Sequence, residues 1–238
     1  MIHSLAIIAL AALIHASFQL SVSMLTLLSG HAIGNKTSQA KLLRLTNSFT
    51  FGVAVMTVLI LTFTAFIIGS SFGVQVPLLA WAISCGLLIG LGVAVWAFYY
   101  RREKGTSLWL PRGVAHYLSD RTKATTSSAE AFSLGLTSVV GELVFIIAPL
   151  LVSALVLVTL SPELQLVGIG IYTLISLLSL LIVNGLIGSG HKLSRIQKWR
   201  EDNKHFLQFA AGCGLLILGF YVYVNQIVAV SAHAVGVL

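Results

Sequence analysis

Along the 238 residues, apolar positions gather into six long runs separated by short polar stretches. The runs extend over about Ile7 to Leu28, Phe49 to Ile68, Leu78 to Tyr99, Phe132 to Leu160, Leu164 to Ile187 and Phe206 to Val230. As a helix rising about 1.5 Å per residue, each is long enough to cross a hydrocarbon layer of roughly 30 Å. The pattern therefore predicts six transmembrane spans. Local punctuation agrees: Ser127-Ser128-Ala129-Glu130 has the spacing of a capping box ahead of the fourth run, and Ser161-Pro162 suits the N-cap and first turn of the fifth. Gly69 to Gln75 reads as a turn between spans. Pro149, near the middle of the fourth run, leaves room there for a kink, a break or a re-entrant segment.

The charges fall between the runs and alternate in sign of density. Lys36, Lys41 and Arg44 follow the first span, and the next loop, around Gly69 to Pro77, carries none. Arg101, Arg102, Lys104, Arg112, Arg121 and Lys123 separate spans three and four, Glu163 is alone after span four, and Lys192, Arg195, Lys198, Arg200 and Lys204 precede span six. By the positive-inside rule these basic loops face the cytosol of a cytoplasmic (inner) membrane and both termini face out. Ser194 to His205 suits a basic, amphipathic stretch along the inner leaflet or a solvated topogenic loop. With no basic leader and no small-residue cleavage site, the N-terminal run is expected to be a retained span.

Composition sharpens this picture. Hydrophobic residues make up 57% of the chain and charged ones 9%, and the mean hydropathy is +0.97, so a water-soluble domain or a disordered chain is excluded. The net charge of +7 does not indicate nucleic acid, because the 14 Lys and Arg sit in topogenic loops and form no stripe interleaved with aromatics. The lipid bilayer is the expected partner.

A repeat is visible within the apolar pattern. Cys85-Gly86-Leu87-Leu88-Ile89 in span three matches Cys213-Gly214-Leu215-Leu216-Ile217 in span six, and Phe18 to Leu28 echoes Phe132 onward with gaps. Three spans per copy would place the second copy upside down in the membrane, the inverted design of many alternating-access carriers. The expected fold is thus all-α, a polytopic bundle of about six helices: residues 1–100 as the first three-helix repeat, 101–130 as a basic cytoplasmic linker and 131–238 as the second repeat.

These residues resemble the CcdA and DsbD membrane domain, within the LysE-like superfamily of small inverted-repeat carriers. That family's first span reads like L-S-P-C-V-L-P-L-x-P-G, and Leu20 to Gly30, LSVSMLTLLSG, keeps the frame. Its fourth span reads like F-x-x-G-L-x-x-x-x-G-x-x-P-C-x-G-P, which Phe132, Gly135, Leu136 and Gly141 fit, followed by Glu142 to Pro149. The resemblance covers most of the chain and implies an inverted-repeat carrier with both termini outside. It also exposes a departure. The family's two redox cysteines fall at Ser23 and at about Phe145, neither of which supports thiol exchange. Cys85 and Cys213 occupy matching places in the two halves and form a possible relocated redox pair, or else pack as small apolar residues beside Gly86 and Gly214.

The remaining candidate chemistry is polar. Glu142 is the acidic residue inside a predicted span, where a charge costs roughly 2.5 to 3.5 kcal/mol on insertion scales, so it is expected to be protonated, paired or beside a hydrated cavity. At about 100° per residue it shares a helix face with Ser138, Pro149 and Ser153. His15, Gln19, Ser23, Thr26 and Gly30 form a similar stripe on span one, and Thr173, Ser176 and Asn184 one on span five. These stripes suggest a transport pathway in which Glu142 takes a proton or binds a cation, His15 relays, and Gln19, Ser23 and Asn184 offer neutral hydrogen bonds, with Pro149 at the bend. The alternative is ordinary packing, with hydroxyls bonded to their own helices.

No H-E-x-x-H, C-x-x-C, P-loop or G-x-S-x-G occurs, and no two of the seven His have metal-ligand spacing on one helix, so neither an enzyme nor a cofactor or metal protein is expected. Two classes stay open: a small carrier or exporter of an unknown solute or ion, and a non-transporting scaffold or assembly subunit that binds a membrane protein partner.

Overall fold

The computed structural model describes residues 2–18, 20–34, 38–99, 117, 120–190, 195, 198–199 and 202–229. It is all-helical: no strand occurs among these residues. The helices are α1 (Ile2–Ser17), α2 (Leu20–Gly34), α3 (Gln39–Phe72), α4 (Leu78–Ala94), α5 (Ser128–Val158), α6 (Pro162–Ser176), α7 (Leu178–Gly188) and α8 (Lys204–Val222). Short π-helical turns, Val95–Tyr99 and Tyr223–Val228, extend α4 and α8. Most of the 101–130 linker, and much of Ser194 to His205, lie outside the described residues.

Four helices are long and apolar enough to cross a membrane, or six spans if each of two bent pairs counts as one. The first pair is α1 with α2, bent by 43°, and the second is α6 with α7, bent by 51°. The outward faces are apolar, with Phe51, Phe63, Phe66, Leu79, Leu166 and Ile217 all more than half exposed. Water would penalise so much exposed apolar surface, and lipid does not.

Capping follows the sequence. Ser127 and Glu130 form the reciprocal box that starts α5: the Ser127 side chain accepts from the Glu130 N–H, and the Glu130 carboxylate accepts from the Ser127 N–H at 3.0 Å. Ser161 stands at the N-cap of α6, with Pro162 in its first turn.

The break or re-entrant turn for which Pro149 left room does not occur. α5 runs unbroken from Ser128 to Val158 with Pro149 buried inside it. A proline within a span is tolerated where neighbouring helices and hydroxyls occupy the freed groups, and Ser153 Oγ donates to the Pro149 carbonyl at 2.9 Å. α5 is also the central helix, packed along its length by α3 and contacted by α1, α2, α4 and α6.

The breaks lie in the first and fifth apolar runs instead, between α1 and α2 and between α6 and α7. At the end of α1, Ser17 Oγ donates to the Ile14 carbonyl at 2.6 Å and the Phe18 N–H to the His15 carbonyl at 3.1 Å, which tightens and ends the turn. At the end of α6, Ser176 Oγ donates to the Thr173 carbonyl at 3.0 Å, and Leu177 caps the helix. Ser179, just past that break, donates to the Ala16 carbonyl at 2.8 Å, so one broken span closes an open end of the other.

Two buried clusters fill the interior. One gathers α1, α4, α6, α8, the later half of α5 and the later part of α3, around Tyr172, Leu155 and Leu215; the other gathers α2, α7, the earlier half of α5 and the earlier part of α3, around Phe49, Leu25 and Ile146. Between α3 and α5 the backbones touch: a Cβ on Gly52 would meet the Phe132 carbonyl oxygen, and one on Gly135 the Phe49 carbonyl oxygen. Such glycine contacts are how membrane helices gain close packing.

Candidate functional site

The site lies where the two broken spans meet α5. His15, on the last turn of α1, is 4% exposed, and Glu142, on α5, is 3% exposed. His15 Nε2 stands 3.8 Å from Glu142 Oε2, an ion pair whenever the imidazole is protonated. The other ring nitrogen, Nδ1, is 3.1 Å from the hydroxyl of Tyr172 on α6, which is fully buried. Carboxylate, imidazole and phenol thus form a line across three spans. This is the second of the expected arrangements for Glu142: a buried carboxylate with a partner.

A small cavity of roughly 20 Å³ adjoins the pair, about the room one water needs. Its walls include His15 and Glu142, the hydroxyl residues Thr57, Ser176 and Ser179, and both break positions, Phe18 and Leu177. Thr57 and Ser176 already donate to carbonyls of their own helices. Phe18 stacks on Phe145 with ring centroids 5.4 Å apart. Phe145 thus backs the aromatic wall that Phe18 presents to the cavity.

The other sequence candidates divide. Gln19 lies outside the described residues. Ser23 is half-buried on α2, where its carbonyl accepts from Thr26 Oγ1 at 2.8 Å, and because span one is bent before it, the stripe from His15 to Gly30 is not one helix face. Asn184 does not join the cluster: its amide donates to Asn47 Oδ1 of α3 at 2.8 Å. Pro149 is two turns beyond Glu142, roughly 10 Å along the helix, and does not line the cavity.

Cys85 and Cys213 are both free. Gly92 packs on Leu216 and Gly219 on Leu88, so α4 and α8 run antiparallel in a register that puts Cys213 opposite about Val95. That separates the thiols by some ten residues, roughly 15 Å along the axes, where a disulfide needs Cα atoms within about 7 Å. The relocated redox pair therefore has no geometric basis here; Cys85 is buried in the apolar core and Cys213 is half-buried.

Tyr172, Phe18, Thr57, Leu177 and Ser179 are site residues that the polar stripes left out. Tyr172 carried a legible signal: tyrosine favours membrane interfaces, and this one is ten residues into its helix. Among the described residues no three His, Cys, Asp or Glu side chains come together as a metal ion would require. Comparison of the chain with family models, curated proteins and solved structures found no match.

Proposed function

We propose that this chain is a small inverted-repeat membrane carrier or exporter of the CcdA/LysE-like type, coupled to a proton or cation through Glu142. The observation that carries the reading is the buried Glu142–His15 pair at the point where spans one and five are interrupted. Carriers bind solutes and coupling ions where discontinuous helices meet, because interrupted backbone is tolerated in a membrane where it lines a cavity. A scaffold has no use for a buried carboxylate beside two broken spans.

Two related halves are supported by packing. Exchanging span one with four, two with five and three with six carries each principal pairing onto another or onto itself. Two on four becomes five on one, one on six becomes four on three, and three on six is its own counterpart. The π-helical turns begin at Val95 and Tyr223, each ten residues after the cysteine of the repeated pentapeptide. In this reading the protein lies in the cytoplasmic membrane with its basic loops in the cytosol and both termini outside.

The reading is tested by purified protein in proteoliposomes, screened against a mixture of solutes under an imposed pH or sodium gradient, beside Glu142→Gln and Glu142→Ala. A solute whose gradient-driven flux is lost in both variants is the expected result. Flux of equal rate in wild type and Glu142→Gln sinks the coupled-carrier reading.

A further inference from the structure

We propose that Tyr172, His15 and Glu142 form one proton-holding chain, in which Tyr172 is a positioning residue that fixes the imidazole and reverses its hydrogen bond when the proton is loaded. The proposal rests on the carrier reading only for its use in transport. Its evidence is geometric: Tyr172 Oη lies 3.1 Å from Nδ1 and Glu142 Oε2 lies 3.8 Å from Nε2, so the two nitrogens of a single ring face groups on different spans.

The protons balance as follows. In the unloaded state Tyr172 donates to Nδ1, so the neutral imidazole carries its one N–H on Nε2, directed at an ionised Glu142. One added proton makes Nδ1 a donor to the Tyr172 oxygen and leaves a second hydrogen between Nε2 and the carboxylate, bringing the site from a charge of minus one to neutral. No bond between heavy atoms changes. The phenol can serve both states because it donates or accepts, which a phenylalanine in the same place cannot do. The gap to Glu142 closes into hydrogen-bond range with a small shift of the carboxylate.

Other titratable groups are scarce around the ring. Among the cavity residues only His15 and Glu142 titrate, and α3 presents Thr57. α8 packs on Ile14 through Gly214, next to the half-buried thiol of Cys213. His15 stands in the turn that ends α1, and Tyr172 in the last turns of α6. Loading the proton therefore reverses a hydrogen bond at the ends of both broken helices. That ties proton occupancy to the angle between the half-spans.

The test is the 15N spectrum of histidine-labelled protein in lipid bilayers, with His15 assigned by its absence in His15→Gln. At a pH high enough to keep the site unloaded, Tyr172→Phe is expected to move the Nδ1 signal and leave Nε2, while Glu142→Gln is expected to move Nε2 and leave Nδ1. A structural role for Tyr172 would not separate the two nitrogens. An Nδ1 signal unmoved in Tyr172→Phe, or both nitrogens moving alike, overturns the proposal. Should Tyr172→Phe fail to fold, Glu142→Gln decides: movement confined to Nε2 supports the chain, and an unmoved Nε2 overturns it. Proton counting gives a second check, since the double variant His15→Gln with Glu142→Gln should lose a single proton relative to wild type. Two protons lost from the double variant would contradict a shared site. None of these readouts needs a solute, so a protein that passes them and moves nothing retires the carrier reading and keeps the chain.

Discussion

Glu142 sits where an ionised side chain costs several kcal/mol, and the neighbouring imidazole, when protonated, offsets part of that cost. Removing that neighbour should therefore cost more than its packing volume suggests. His15→Leu leaves the Tyr172 hydroxyl and the Glu142 carboxylate each without this ring as a partner, a loss of about 1–3 kcal/mol for a stranded buried group. Thermal unfolding in detergent should show His15→Leu less stable than wild type, with Glu142→Gln recovering much of the loss in the double variant, since a neutral amide demands less. Equal stability of His15→Leu and wild type would mean that the pair carries no energy. The sequence pointed to this pair because a carboxylate and an imidazole inside apolar runs are conspicuous. Their contact was not legible, because it depends on a bend in span one that no proline or glycine announces.

At the scale of elements, the breaks and the close glycine contact carry the structure. Proline was the strongest interruption signal in the chain, yet α5 absorbs it. Back-bonding by Ser17 and Ser176, together with one bond from Ser179 to the Ala16 carbonyl, marks the real breaks. Those residues are common in membrane helices, and only the arrangement of neighbours distinguishes a break from a hydroxyl satisfied within its own turn. The long apolar helices and both caps were legible for the opposite reason, since length, hydropathy and S-x-x-E spacing are local properties. Ser179→Ala should lower stability by roughly 0.6 kcal/mol, the average for a bond between membrane helices, and should raise hydrogen exchange at the ends of α1 and α6. Gly135→Leu should be far more damaging, because its side chain would meet the backbone of α3, whereas Gly86→Ala enters open space and should be neutral. Melting temperatures of the two glycine variants give the comparison, and a similar fall in both would refute the close approach of α3 and α5.

In the proposed reading, the spans of the whole molecule pair as two interchangeable halves around α5 and the α1–α2 pair, with the polar cluster between two apolar clusters. An interior divided in this way suits a protein whose halves move against each other around a fixed centre. The separation of Cys85 from Cys213 gives a direct check on the register of spans three and six. Mild oxidation with copper phenanthroline should leave both thiols free within a monomer, and an intramolecular disulfide would require a different packing of these spans.

The central claim, that Glu142 holds the coupling proton at the junction of two broken spans, is tested most directly by proton movement itself. Proteoliposomes with an internal pH dye, carrying wild-type protein or Glu142→Gln and exposed to the solutes that pass the flux screen, would report it. Solute-dependent proton flux in wild type that vanishes in Glu142→Gln, with the variant folded and inserted, is the expected result. Solute-dependent proton flux of equal rate in both proteins would contradict the claim.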